Sequence, residues 1–364
     1  MTGRDVIIAM ILAAAIAAVA VGLVVTMPSG TDTVPSDPID PIPPELEQDD
    51  EPVYPYPKGI SFDEKTGVLS SDKTVKWSVV DELKEYDNRV RTTSVGDSLT
   101  LAPGLYTVTV DGESFNVIVD GTLTNEVSWK YWYNGELYDV SVTYDIDLSE
   151  LAELTLKNRE LNRSQYKLFS DLPSLVYVND TVRSIVSQLK EIFAGIGGDI
   201  SDRQSFADFL VSFAQLGIEY PAMIDESSDL EVWGVDEYWA KSLETLYFIK
   251  GDCEDSAAVA CSLFKAAGYK TAMVGVSKHV TAAVALDDFT ERDKKEIASY
   301  NPLSVVLTLA EGTSANAEDP QNIIYYGVDT TSNQVPVGFM LKGSVSNIGE
   351  KTKWGMAGFY PVSD

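Results

Sequence analysis

The spacing of apolar and polar positions changes character several times along the chain. From Val6 to Met27 no residue is charged and almost none is polar. From Gly59 to about Asn125 apolar and polar residues alternate, the period of half-buried strands. LYTVTVDGESFNVIVDG holds two such runs around Asp111-Gly112, a pair suited to a hairpin turn with positive φ at both central residues. KTVKWSVVDE and DSLTLAPG read the same way, and together they predict a small all-β, sandwich-like domain over 59–125. VSWKYWYNGELYDVSVTYDI predicts a second hairpin, turning at Asn134-Gly135. Its aromatics, Trp129, Tyr131, Trp132, Tyr133 and Tyr138, fit a half-buried sheet better than a sugar-stacking platform.

Helical spacing follows. In DTVRSIVSQLKEIFAG, Val182, Ile185, Val186, Leu189 and Phe193 share one face, and Gly195 is a natural stop. In DRQSFADFLVSFAQLG, Phe206, Phe209, Leu210 and Phe213 do the same. A further helix follows Cys253. Strand-like runs then return in TAMVGVS, VTAAVAL and NIIYYGVD. Helices first and an antiparallel sheet afterwards predict an α+β domain over 126–364.

The apolar run at 6–27 would span about 33 Å as a helix, enough to cross a bilayer. Arg4 and the chain amine precede it, and no Lys or Arg follows until Lys58. The expectation is a cytoplasmic segment 1–5, a transmembrane helix 6–27 and an extracytoplasmic remainder, in the cell membrane. A cleaved signal peptide is the other reading, although its apolar core is usually about 7–15 residues. Residues 28–58 hold nine of the sixteen prolines, eight acids and a single base at the end. Such a segment buries no core and reads as a stiff stalk. At about 3.1 Å per residue it reaches up to roughly 90 Å. The formal net charge of −29 argues against a nucleic-acid partner, since a polyanion is repelled.

Candidate chemistry concentrates in KGDCEDSAAVACSLFKAAGYKTAMVGV. Asp252 reads as a helix N-cap, Asp255 lies in the first turn, and Gly268 stands past the end. Cys253 then sits where free amides and the helix dipole favour a thiolate and can supply an oxyanion donor. Cys261 lies on the apolar stripe and reads as an inert core thiol. A disulfide between the two is excluded, because eight helical residues separate them by about 12 Å. His279 is the only histidine, and Asp329 ends an apolar run in YYGVDTT. A nucleophile at a helix start, with a base and an acid on sheet strands, suits acyl transfer. One His and two Cys make no zinc set, no Gly-rich phosphate loop is present, and no cofactor is expected. Sequons at Asn162 and Asn179 are compatible with an outside location.

SLETL at 242–246, KGDCEDSA at 250–257, the apolar run into SKHVTAAV, and YYGVDTT before VGFM occur in this order. In these four motifs the stretch from about Val127 to Asp364 resembles the transglutaminase-like superfamily, in its prokaryotic membrane-anchored members. The resemblance implies a papain-like core, with Cys253 as nucleophile, His279 as base and Asp329 as orienting acid. It also implies an oxyanion role for Gln215 in FAQLGIEY, where Tyr220 follows; a helix-terminal polar residue is the alternative. The chain departs from the pattern in the 50 residues between His279 and Asp329, swollen by the polar stretch 287–322, a lid or a surface insertion. It departs again in having Asp where relatives often have Glu. The implied activity is acyl transfer or hydrolysis at an amide or isopeptide bond of a peptide, protein or cell-surface substrate. A catalytically silent binding or scaffold module on the same fold is the alternative.

Overall fold

The structure, a computed structural model, describes residues 56–164, 168–224, 227–276, 279–290, 316–318, 321, 323–331, 334–339 and 358–363. The apolar run at 6–27, the stalk up to residue 55 and most of the 287–322 stretch lie outside these residues. Among the described residues no helix is long and apolar enough to cross a membrane.

The first element group is one antiparallel sheet of five strands: β1 (Ile60–Asp63), β2 (Val68–Asp81), β3 (Thr92–Thr100), β4 (Gly104–Val110) and β5 (Glu113–Val119). The long β2 carries β3 on one side, with a register shift between Ser70 and Val75. On its other side it meets β1 near Leu69 and β4 near Val79. A bulged strand bends, and the inner faces of all five strands share one apolar cluster built on Leu69, Trp77, Val108 and Val117. The expected sandwich is therefore a single bent sheet enclosing its own core. Asp111 and Gly112 both have positive φ (51° and 90°), as the hairpin reading required.

The second hairpin, β6 (Thr122–Tyr133) and β7 (Glu136–Asp147), pairs in unbroken register. Its turn has φ of 49° at Asn134 and 83° at Gly135. This hairpin belongs to the main core. Trp129 and Tyr131 are buried there, and Trp129 Nε1 donates to Ser212 Oγ. Tyr131 and Phe193 both pack on Phe209, with ring centroids 4.8 and 5.1 Å away. The aromatic stripe is half-buried sheet.

Six helices follow among the described residues: α1 (Leu148–Ser164), α2 (Asp180–Gly195), α3 (Arg203–Ser212), the single turn α4 (Asp229–Val232), α5 (Ser242–Phe248) and α6 (Cys253–Ala266). Every apolar position assigned to the inner faces of α2 and α3 is buried. A π-helical turn, Phe213–Gly217, continues α3. The chain ends in a five-stranded antiparallel sheet, ordered β10 (Asn316–Glu318), β11 (Ile324–Val328), β9 (His279–Ala285), β8 (Thr271–Val276) and β12 (Gly358–Pro361). The protein is thus a mixed α+β structure of helices and antiparallel sheets. Helix α6 packs on β9, which sets its first residue against the start of that strand.

Two charged knots tie the first sheet to the helices. Glu82 Oε2 lies 2.9 Å from Arg159 and 3.9 Å from Arg89. Lys250 Nζ lies 2.7 Å from both Glu85 and Glu231. The second knot ends three residues before Cys253.

Candidate active site

The turn that delivers Cys253 is built from tight backbone. Helix α5 ends at Ile249 in the left-handed region (φ 54°). Lys250 then bridges to Glu219 in parallel. At Gly251 a Cβ would lie 2.6 Å from Asp255 Cβ and 2.7 Å from Thr245 Cγ2, so only glycine lets the chain pass between them. Asp252 occupies the N-cap position of α6, as expected, yet its side chain does not cap the helix. Its Oδ2 accepts instead from Ser228 Oγ at 2.7 Å. The far end matches the reading: α6 stops at Ala266, and Gly268 has φ 83°.

The three expected residues lie on elements that pack together, α6 on β9 and β11 beside β9. Cys253, half-buried, begins α6, and the nearby backbone N–H of Val280 favours its thiolate. Val280 is the neighbour of His279, which opens β9. His279 Nε2 lies 3.6 Å from Asp329 Oδ1, an ion-pair distance longer than a hydrogen bond. Since Nε2 faces the acid, Nδ1 is the nitrogen left for a second partner. Asp329 is fully buried at the end of β11, and β11 pairs with β9 through Val328 and Ala282. Thr331 donates to Asp329 Oδ1 through its backbone N–H (3.0 Å) and its hydroxyl (2.8 Å). Burial would raise the Asp329 carboxyl, but the imidazole beside it and the two Thr331 bonds outweigh burial and hold it below the usual range. Asp329 therefore stands as a fixed anion.

The thiol is a different matter. A helix terminus favours a thiolate, and the first turn of α6 was expected to lower the Cys253 pKa. Its pKa is instead raised well above the ordinary thiol value, by burial and by the carboxylates of Glu254 and Asp252. The thiol donates to Glu254 Oε2 at 3.1 Å. Four acids, Asp229, Asp252, Glu254 and Asp255, are buried around it. None of the ion pairs among the described residues involves them. Burial and mutual repulsion push Asp229, Glu254 and Asp255 above the carboxylate range. A helix dipole contributes about 0.3–1 kcal/mol at an exposed site, far less than adjacent buried charges. Asp252, Cys253 and Glu254 bring one ligand atom each within 4.8 Å of one another, a set able to hold a cation.

Gln215 lies close by but faces away from an oxyanion role. It sits in the π-helical turn, and its Nε2 donates to the backbone oxygens of Asp329 (2.8 Å) and Val335 (2.9 Å). Both amide hydrogens are thereby engaged, and Oε1 is left without a partner. Gln215 braces the loop that carries Asp329. The Val337 amide bonded to Asp208 (2.7 Å) and the mutual pair of Gln334 with Trp132 hold the same loop. A cavity of about 230 Å³ opens beside it, lined by Gln215, Leu216, Ile218, Tyr220, Ser256, Thr330 and Thr331.

Cys261 is fully buried, donates to the Ala272 oxygen, and is pushed up to about 12 by burial. It is the inert thiol expected. The sequon asparagines are structural. Asn179 caps α2 by accepting from Val182 N, and Asn162 bridges to both backbone groups of Trp239. Glu254, Ser228 and Asp229 were missed as site residues. The acids of Asp-Cys-Glu-Asp were a signal for Glu254, whereas Ser228 and Asp229 lie more than twenty residues away and carry no local signal.

Searches against protein-family models, curated proteins and solved structures each return no match to this chain.

Proposed function

We propose that the chain is a transglutaminase-like, papain-like acyl-transfer protein acting on amide or isopeptide bonds through Cys253, His279 and Asp329. The supporting observation is the packing of the helix that Cys253 opens on the strand that His279 opens, with the His279 Nε2 facing a buried aspartate at 3.6 Å. In this reading His279 takes the thiol proton as sulfur attacks the carbonyl carbon. First-turn amides of α6, which lack intrahelical partners, receive the oxyanion. The amine leaves with the proton from His279, giving a thioester that water or an amine resolves. Asp329 orients the ring.

A silent scaffold is the second reading, favoured by the thiol's bond to Glu254 and its raised pKa. Incubating the full-length protein with an amide-bearing thiol electrophile and mapping adducts by mass spectrometry decides between them. Stoichiometric capture at Cys253 but not Cys261, abolished in Cys253→Ser, supports the enzyme. No capture in folded protein supports the scaffold. Residues 6–27 are proposed as a membrane anchor holding the rest outside; release of the protein by a carbonate wash would contradict this.

A further inference from the structure

The acidic turn that carries Cys253 holds more negative charge than its hydrogen bonds account for. Asp229, Asp252, Glu254 and Asp255 are all more than nine-tenths buried. Asp229 and Asp255 each accept a backbone N–H, from Tyr238 and Ala240 at 2.7 and 2.8 Å. Asp252 and Glu254 are satisfied on one side only. Asp252 Oδ2 accepts from Ser228 Oγ, and Glu254 Oε2 accepts from the Cys253 thiol. Their other oxygens, Asp252 Oδ1 and Glu254 Oε1, are buried with no hydrogen-bond partner. Among the described residues no other buried carboxylate oxygen is left in this state. One oxygen from each of these two carboxylates and the Cys253 sulfur lie within 4.8 Å of one another.

Buried carboxylates are stable when they are paired or when they coordinate a metal. The two bases nearest in the fold are committed elsewhere: Lys250 to Glu85 and Glu231, and His279 to Asp329. The donor chemistry then selects the ion. A sulfur among the ligands favours cations of the zinc class over calcium and magnesium, which take oxygen. Zinc bonds sulfur at about 2.3 Å and carboxylate oxygen at about 2.0–2.2 Å, so its ligand atoms lie within about 4.5 Å of one another. The atoms of this set are gathered to nearly that size. The start of α6 opposes a cation with about half a unit charge, and the four acids exceed it. Cys253, the one residue of the set that is only half-buried, gives the ion its way in.

We propose that Asp252, Cys253 and Glu254 bind a divalent cation of the zinc class, with Ser228 steadying the Asp252 carboxylate from behind. On binding, the sulfur gives its proton to solvent and bonds to the metal, with no change of oxidation state. A sulfur held in this way is closed to a carbonyl carbon, so the ion acts as a reversible block. The block rests on the reading of Cys253 as the nucleophile, whereas the binding does not. A proton shared between Asp252 and Glu254 is the competing occupant of the same oxygens.

The test is calorimetric titration of the chelator-treated full-length protein with zinc chloride, with cobalt(II) absorption as the check on sulfur. Zinc should bind once per chain, and cobalt should give a thiolate-to-metal charge-transfer band. Ser228→Ala should weaken zinc about 10–100-fold, the usual effect of removing a group behind a metal ligand. Glu254→Gln should weaken it at least as much, and Cys261→Ala should leave it unchanged. Zinc should protect Cys253 from iodoacetamide, and a chelator should restore the reaction. The cobalt band and the protection are read in the wild-type protein, so they stand even if a variant fails to fold. Absence of zinc binding overturns the site and leaves the shared proton as the occupant. Binding without the cobalt band, or with undiminished alkylation of Cys253 at saturating zinc, overturns it too. Calcium bound as tightly as zinc overturns the part given to sulfur. Capture of the amide electrophile at Cys253 without zinc binding defeats the metal site and leaves the enzyme reading standing. Zinc binding with no capture by the chelator-treated protein defeats the enzyme reading instead.

Discussion

Replacing Glu254 by glutamine should make Cys253 a nucleophile at lower pH. The thiol now donates to Glu254 Oε2 at 3.1 Å, and the carboxylate is second only to burial in raising its pKa. A full charge at that distance, with an effective dielectric of about 20, opposes a thiolate by about 5 kcal/mol. At about 1.4 kcal/mol per pKa unit, that sets a ceiling of between three and four units. The realised effect is smaller, because burial and acidic neighbours keep Glu254 itself protonated over part of the range. Glutamine has nearly the same shape, carries no charge, and can donate to sulfur. The midpoint of Cys253 alkylation against pH should therefore fall by at least about one unit. The assay is iodoacetamide modification followed by mass spectrometry of the Cys253 peptide, with circular dichroism confirming the fold. A midpoint that stays put or rises would show that Glu254 does not control the thiol.

Asp329→Asn should retain the fold, because an amide oxygen can still accept the Thr331 bonds, and should lower turnover by about two to four orders of magnitude through loss of imidazole orientation; kinetics at wild-type stability check this. The raised carboxyls of Asp229, Glu254 and Asp255 set the pH dependence of stability. Each keeps its proton in the folded state where the unfolded chain has lost it. Stability should fall as pH rises from about 4 toward the folded pKa, about 8 for Asp229. The slope is up to about 1.4 kcal/mol per pH unit for each retained proton. Asp329 has the opposite sign, its contribution being lost only as pH falls below about 4. Thermal melts should thus show a higher Tm at pH 5 than at pH 8, with a shallower slope in Asp229→Asn; equal slopes in both proteins would contradict the assignment.

Local pattern carried much of this fold. Asp111-Gly112 and Asn134-Gly135 adopt the positive φ that their residue types allow, and the inner stripes of α2 and α3 are buried at the positions that helical spacing named. The places of Cys253, His279 and Asp329 at the ends of regular elements were legible from where the local patterns start and stop. What escaped depends on distant chain. The bonds that turn the Gln215 amide away from an oxyanion join residues 114 and 120 positions apart. Asp252 has the residue type of a helix cap, but Ser228, 24 residues earlier, draws its side chain away. The pKa direction of Cys253 reversed because the thiol is buried, and because the carboxylates of Glu254 and Asp252, which look solvated in a sequence, are buried beside it. The expected sandwich became one sheet because a register shift in β2 lets a single sheet curl around its own side chains.

The central claim is that Cys253 and His279 work as a pair, and the pH profile of Cys253 alkylation in wild type and His279→Ala tests it most directly. A thiolate beside an imidazolium is stabilised by several pKa units in such pairs, and this chain has no other histidine to substitute. The account predicts that His279→Ala, with its fold retained, moves the profile upward by more than about one unit. A profile left where it was would contradict the pairing, leave the nucleophile without a base, and make the scaffold reading the better one.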